Sequence, residues 1–114
     1  MAGQGGVELS EKLSAILNTW LSNQASNQVS NQVVKEMIRL TMYTLTGTFK
    51  RSELLEHIGL SKQTKNVKKY IEPLESIGWL AKTVPDKPNS PRQRYTATDT
   101  LKQLIAQLKK ESVL

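Results

Sequence analysis

The sequence predicts a mainly α-helical fold with a small β-hairpin, an α+β arrangement of the winged helix-turn-helix type. Two observations predict it. The first is a pair of helical patterns separated by a short turn that contains Gly59, a spacing typical of the helix-turn-helix motif. The second is a pair of strand-like segments at 79–84 and 93–97, with three prolines in the loop between them.

Length and composition are those of one domain with a modest core. The chain has 114 residues, of which 38% are hydrophobic and only 5% aromatic, so Leu, Ile, Val and Met must supply most of the core. The absence of cysteine excludes disulfides and thiolate metal sites, and it is consistent with a reducing cytoplasm. No apolar run approaches the roughly 20 residues of a membrane span, and no signal-peptide pattern is present. We therefore expect a soluble, cytoplasmic protein without membrane contact.

Residues 1–32 are predicted to form an N-terminal helix and a linker, ahead of a winged-helix domain at 33–114. The Gly-rich residues 1–6 lack periodicity and indicate a flexible start. A helix is expected at about 9–21, with Ser10 as its candidate N-cap. Three Ser-Asn-Gln repeats follow, and their polar composition indicates a mobile linker over 22–31.

The predicted N-terminal helix carries one apolar stripe, formed by Leu9, Leu13, Ile16, Leu17, Trp20 and Leu21. Burial against the main domain is our expectation. The alternatives are a second copy of the chain or another part of a longer protein. A protein partner or self-association would use Leu13, Ile16, Leu17 and Trp20 of this stripe.

The main domain is predicted to contain helices at 33–46, 51–58, 61–77 and 99–110, with Thr48 and Phe49 as a very short strand. Lys50 stands at the N-cap position of the second of these helices, where Ser or Asp would be expected, so its start could slide to Ser52. Ser61 is the expected cap of the next helix. Pro73, inside that helix, predicts a kink or a break that leaves 74–77 as a final turn.

Charge is concentrated between residues 61 and 94. This segment holds eight of the sixteen Lys and Arg residues and three acids, so it carries +5 of the net charge of +6. Along its helix one face is apolar (Val67, Tyr70, Ile71, Leu74 and Ile77), and the remaining arc is basic (Lys62, Lys65, Lys68 and Lys69). A helix buried on one side and basic on the other, leading into a basic hairpin, indicates a surface for a polyanion.

The candidate nucleic-acid contacts fall into three groups. Phosphates would be contacted by Lys62, Lys65, Lys68 and Lys69, base edges by Gln63, Thr64 and Asn66, and the DNA backbone or minor groove by Lys87, Arg92 and Arg94 of the wing. Each group has a structural alternative, respectively a solvated helix face, the polarity usual at a helix start, and a loop stiffened by Pro85, Pro88 and Pro91.

Catalytic and metal-binding patterns are absent from the sequence. His57 is the only histidine, and no cysteine or carboxylate cluster accompanies it, which disfavours a metal site. No Ser/His/Asp or paired-carboxylate spacing is present. We expect no enzymatic activity and no cofactor, and Trp20 and Trp79 are expected to be core or interface anchors.

Three segments carry a resemblance to one bacterial family: LLEHIGL at 54–60, YIEPLESIGWL at 70–80 and VPDKPNSPRQRY at 84–95. They resemble the C-terminal winged-helix domain of RecG-related ATP-dependent DNA helicases and of Schlafen/AlbA-type ATP-binding transcriptional regulators, and Fic-like proteins carry a similar tail. The resemblance covers about 26–107 and includes the Gln-Val pairs at 28–29 and 32–33. Lys50 departs from the pattern, and the N-terminal helix has no counterpart in it.

The resemblance implies a DNA-binding domain of a helicase-like or transcription-regulating protein, which docks its basic helix and wing on duplex DNA. The alternative is a winged helix that docks a protein and has no affinity for DNA, because one fold serves both functions. An ATP-binding module would precede these residues in a longer protein.

Overall fold

The computed structural model describes residues 2–24, 30–87 and 89–112, with side chains from Leu9 onward and through Glu111. Its helices are α1 (Ala2–Gln24), α2 (Asn31–Thr44), α3 (Arg51–His57), α4 (Thr64–Asn66), a π-helical segment (Val67–Ile71), α5 (Glu72–Ser76) and α6 (Asp99–Ser112). Two antiparallel strands, β1 (Leu80–Lys82) and β2 (Tyr95–Ala97), form the hairpin between α5 and α6. The predicted α+β class and element order are confirmed. None of the helices in the described residues is both long and apolar enough to cross a membrane.

The apolar stripe of α1 is part of the hydrophobic core that the described residues form. Leu9, Leu13, Leu17 and Leu21 recur every four residues, lie on one face of α1 and are buried. This face contacts α2 and α6, which add residues such as Val34, Met37, Leu101 and Ile105 to the same core. Burial against the main domain was the expected arrangement, and the structure confirms it. The division of the chain at residue 33 stays a prediction.

The ends of α1 differ from the prediction. The helix begins at Ala2 instead of about residue 9, so Ser10 lies inside it and is not its cap. The predicted linker is shorter than expected, because 22–24 belong to α1 and Asn31 belongs to α2. Residues 25–29 of that linker lie outside the described residues.

The helix-turn-helix begins at α3, which starts at Arg51 as predicted. Lys50 has no side-chain acceptor for a cap, but the Glu53 carboxylate accepts the backbone N–H of Lys50 at 2.8 Å. This contact is one half of a capping box, and it fixes a start that the sequence left open. The helix ends at His57. Gly59 follows with a φ of 78°, in the left-handed region, and the Leu60 N–H then donates to the Leu55 carbonyl at 2.8 Å.

The second helix of the motif starts later than predicted. It begins at Thr64, so Ser61 is not its cap, and Lys62 and Gln63 lie in the preceding turn. The Ser61 carbonyl instead accepts the Gln63 N–H and the Asn66 side-chain amide, both at 2.9 Å, which closes the turn. We call the continuous run of α4, the π-helical segment and α5, residues 64–76, the basic helix.

Pro73 is accommodated by a widened turn rather than by a break. The Glu72 N–H donates to the Val67 carbonyl five residues back, which is the hydrogen bond of a π-helix. Pro73 then occupies the first turn of α5, where its missing N–H costs least. Of the two alternatives predicted at Pro73, a kink or a break before Leu74, the break is wrong, since the basic helix continues to Ser76. The irregularity that is present is the π-helical turn, a common cause of a kink.

The hairpin is shorter than the predicted strands, and a third segment extends it. Leu80 pairs with Ala97, Ala81 with Thr96, and Lys82 with Tyr95. Across the other edge of β2, Phe49 and Tyr95 form a bridge, in which the Tyr95 N–H donates to the Phe49 carbonyl at 2.7 Å and the Phe49 N–H donates back at 3.0 Å. The short strand predicted at 48–49 is thus present as a single bridge.

Gly78 joins the basic helix to β1, and its backbone requires glycine. Its φ is 89°. The following Trp79 N–H donates to the Leu74 carbonyl at 3.0 Å, which is the bond between the first and sixth residues that closes a helix C-terminus. A Cβ at this position would meet no atom beyond its chain neighbours within 4 Å, so the cost of a side chain comes from the Cβ against its own backbone and not from a clash with surrounding residues.

Gly78→Ala is expected to lower the free energy of unfolding by about 1–2 kcal/mol, the cost of a left-handed residue with a Cβ. Gly47→Ala is the matched control, because Gly47 has no positive φ and its Cβ would lie 3.7 Å from the Phe49 ring. The control is expected to change stability by less than about 0.5 kcal/mol. Urea denaturation measures both, and equal losses would contradict this assignment.

Candidate nucleic-acid interface

The basic helix is fixed by its apolar face, which orients its charged arc outward. Val67, Ile71 and Leu74 are buried, and the π-helical segment contacts both α2 and α3. The opposite arc carries Lys65, Lys68 and Lys69, all exposed. None of the three lies within 4.0 Å of a carboxylate in the described part of the chain. The Lys69 ammonium lies 5.7 Å from the centre of the Tyr70 ring, a cation–π distance.

The turn before the basic helix contributes Lys62 and Gln63. Both are exposed, and they precede the helix instead of forming its first turn. Asn66 differs, because it is half-buried and its side-chain amide donates to the Ser61 carbonyl at 2.9 Å. This bond occupies one of its two amide protons, so of the three side chains predicted to reach base edges (Gln63, Thr64 and Asn66), the Gln63 amide is freer than that of Asn66.

The wing is organised around Gln93, whose role the sequence analysis missed. Its side chain is 5% exposed, and its amide makes three hydrogen bonds across the loop. The carbonyl oxygen accepts the Val84 N–H at 2.9 Å, and the NH₂ group donates to the Val84 carbonyl at 2.6 Å and to the Lys87 carbonyl at 3.1 Å. The sequence did contain a signal for the burial of Gln93. It lies two residues before Tyr95 and four before Ala97, so the two-residue period of a strand places all three on the inward face.

The three cations predicted on the wing have different surroundings. Lys87 and Arg92 are exposed, and the backbone N–H of Arg92 is held by the Ser90 hydroxyl at 3.1 Å. Arg94 is engaged within the protein, since its guanidinium donates to the Thr48 carbonyl at 3.3 Å and lies 3.6 Å from the Glu53 carboxylate. Arg94 therefore ties the hairpin to the start of the helix-turn-helix, while Lys87 and Arg92 face solvent.

A second ion pair joins the basic helix to the hairpin. The Lys82 ammonium donates to the Glu75 carboxylate at 2.7 Å, with both side chains mostly buried. This hydrogen bond is the main reason that the pKa of Lys82 is raised above its usual 10.5. Burial raises the pKa of the neighbouring Tyr95 phenol above 10.0, with the Glu75 charge as a smaller cause.

His57 has a packing role at the end of α3. Its ring stacks on Tyr43 with the ring centres 3.8 Å apart, and Phe49 stacks on the same tyrosine at 4.0 Å. The His57 carbonyl accepts a hydrogen bond from Arg39 at 3.2 Å. These contacts join α2 to the helix-turn-helix. Among the described residues no three His, Cys, Asp or Glu side chains are grouped so that they could hold a metal ion.

The comparison with protein families decides the classification. A model of the Fic-like C-terminal domain, described as that of the filamentation induced by cAMP protein Fic-like, matches residues 32–98, more than half of the chain. The chain belongs to the Fic-like C-terminal domain family. The match runs from the second residue of α2 to the residue before α6, so it includes the helix-turn-helix, the hairpin and the wing. No curated protein and no solved structure matched the chain.

The hydrogen bonds of Gln93 predict that this residue holds the wing of the Fic-like C-terminal domain in place. Gln93→Ala is expected to lower the free energy of unfolding by about 1–3 kcal/mol, because the partly buried hydrogen bonds to the backbone of Val84 and to the Lys87 carbonyl are lost. Arg92→Ala is the matched control, since only the backbone of Arg92 is bonded. Urea denaturation and amide exchange at 84 and 87 test this, and unchanged protection at 84 in Gln93→Ala would refute it.

Both raised pKa values predict a loss of stability at high pH. The folded state retains protons that the unfolded state releases, so the stabilisation is complete below the unfolded values of 10.0 for Tyr95 and 10.5 for Lys82. It is lost as pH rises through the higher folded values. The free energy of unfolding, measured between about pH 8 and 11, is expected to fall above about pH 10. Tyr95→Phe is expected to reduce that fall, and an identical pH profile in this variant would contradict the assignment.

Proposed function

We propose that this domain binds duplex DNA, with the basic helix docked in the major groove and the wing on the adjacent backbone. The observation that carries the proposal is a set of exposed cations on the second helix of a helix-turn-helix and in the turn before it. Lys62, Lys65, Lys68 and Lys69 are all exposed, and none has a carboxylate partner within the described residues. In helix-turn-helix proteins the second helix is the one that enters the groove.

We assign the proposed DNA contacts to the side chains that are exposed and not fully engaged within the protein. Lys65, Lys68 and Lys69 would contact phosphates, with Lys62 before the helix and Lys87 and Arg92 on the wing. Gln63 and, with one amide proton left, Asn66 would reach base edges. Arg94 would act indirectly by holding the hairpin against Thr48 and Glu53.

We further propose that the domain belongs to a larger bacterial protein of the RecG-related helicase-like or transcription-regulating kind. The support is the local sequence resemblance at 54–60, 70–80 and 84–95, together with membership of a family whose matching part is a C-terminal domain. In this proposal the domain itself is not an enzyme and uses no cofactor. It would deliver the activity of the rest of the protein to DNA in the cytoplasm.

Salt dependence tests the proposal directly. Six phosphate contacts, from Lys62, Lys65, Lys68, Lys69, Lys87 and Arg92, predict that log K falls with log salt at a slope of roughly −5, from about −0.9 per contact. Affinity for random duplex is expected to be on the order of 10⁻⁴ to 10⁻⁶ M near physiological salt. Lys65→Glu/Lys69→Glu is expected to weaken binding to all sequences alike. Fluorescence anisotropy of a labelled duplex, titrated at several salt concentrations, measures both quantities.

Two variants control that experiment. Lys109→Glu/Lys110→Glu makes the same charge change on exposed residues at the end of α6 and is expected to retain most of the affinity. Gln63→Ala is expected to change the preference between sequences while leaving the salt slope unaltered. If a folded Lys65→Glu/Lys69→Glu variant binds duplex as tightly as the parent, the basic arc is only a solvated face and the proposal fails.

The second candidate function is docking of a protein through α1. Of the four residues predicted for such a contact, Leu13 and Leu17 are fully buried in the core and cannot meet a partner. Ile16 and Trp20 are only partly buried, and with Ala15, Thr19 and Asn23 they line a shallow groove of about 430 Å³. This candidate predicts no affinity for duplex DNA, together with loss of partner binding in Trp20→Ala.

A further inference from the structure

A cleft separates the start of α3 from the wing, and its lining is basic. It has a volume of about 300 Å³ and is lined by Lys50, Arg51, Ser52, Lys62 and residues 89–91 of the wing, with Gln93 beside them. Three of the lining residues are cations and none is acidic. Lys50, Arg51 and Ser52 were not among the residues that the sequence analysis singled out for DNA contact.

Glu53, the acid nearest in the chain to residues 50–52, is engaged elsewhere, because it accepts the Lys50 backbone N–H at 2.8 Å and lies 3.6 Å from Arg94. Within residues 30–87 and 89–112, no carboxylate lies within 4.0 Å of the charged groups of Lys50, Arg51 or Lys62. The cleft therefore concentrates positive charge that the protein does not neutralise.

Two hydroxyl groups complete the donors around the cleft. The Ser90 hydroxyl accepts the Arg92 N–H at 3.1 Å, so its own proton remains available for a ligand. The Ser52 hydroxyl has no hydrogen-bond partner among the described residues. Around Ser90 the backbone is fixed as well, because its N–H donates to the Lys87 carbonyl at 2.9 Å and its carbonyl accepts the Gln93 N–H at 3.0 Å.

We propose that this cleft binds a phosphate group. The guanidinium, the two ammonium groups and the two hydroxyls supply many hydrogen-bond donors. A tetrahedral phosphate has more oxygens to accept them than a carboxylate ligand has, so a phosphate suits the cleft better. Lys62 belongs both to the cleft and to the basic surface that continues along the helix. The inference rests on the proposed function in taking a phosphate of the DNA backbone as the ligand, while a free phosphate or phosphomonoester would present the same chemistry.

An NMR titration with inorganic phosphate decides whether the site exists. Saturable shifts of the amide signals are expected at 50–52, 62 and 89–91, and chloride at matched ionic strength is expected to leave those signals in place. Arg51→Gln/Lys62→Gln is expected to abolish the response, and Lys109→Gln/Lys110→Gln, with the same charge change, to retain it. Lys62→Gln alone, on an exposed side chain, provides a second variant that does not disturb packing. Equal shifts with chloride, or an undiminished response in Arg51→Gln/Lys62→Gln, would overturn the proposal.

Duplex binding identifies the source of the phosphate. If it is the DNA backbone, Arg51→Gln is expected to weaken duplex binding about tenfold, as loss of one charged hydrogen bond, and to reduce the salt slope by about 0.9. A parent domain that binds no duplex but shows the phosphate response would defeat the proposed function and support a cleft for free phosphate. A parent domain that binds duplex without any phosphate response would support the proposed function and overturn the cleft.

Discussion

The structure depends on the backbone of Tyr95, which pairs on both of its sides. On one side Tyr95 lies opposite Lys82 in the hairpin, and on the other its N–H and C=O groups both bond to Phe49. Its ring is 1% exposed, so the residue is anchored in the core at the same point. Because Phe49 immediately precedes the start of the helix-turn-helix, this bridge sets the position of the wing relative to the basic helix. Burial of its phenol there is also the main reason that the pKa of Tyr95 is raised.

The side chains of Gln93 and Arg94 bond to other parts of the protein, and this leaves Lys87 and Arg92 as the exposed cations of the wing. Gln93 satisfies three backbone groups of the loop, and Arg94 bonds to Thr48 beside Glu53. The wing is therefore held by neutral and internally paired groups, while the side chains of Lys87 and Arg92 have no such role among the described residues. The same holds for the basic helix, whose apolar residues bind it to α2 and α3 while its lysines remain exposed. The proposed phosphate contacts use these exposed cations, which have no carboxylate partner among the described residues.

Periodicity was sufficient to predict the element order, because each helix buries a stripe at the helical period and the hairpin is bounded by prolines and Gly78. Contacts distant in sequence or specific in geometry were not predictable. The basic helix starts three residues late because the Ser61 carbonyl is bonded by Asn66, and Pro73 causes no break because a π turn precedes it. For the candidate site, the lysines of the helix could be predicted from its apolar face. Gln93, the engagement of Arg94 and the cleft beside Arg51 depend on the folded loop.

The central claim is that the basic helix and the wing form one surface that duplex DNA contacts. A footprint of duplex DNA on the assigned amide signals of the domain, measured by NMR at low salt, tests it most directly. The account predicts that perturbed amides concentrate at 62–69 and at 87–92, with 50–52 added if the cleft binds a backbone phosphate, and that signals around Ile16 and Trp20 of α1 stay unchanged. A footprint confined to the α1 groove, or spread evenly over all exposed lysines including Lys109 and Lys110, would contradict it.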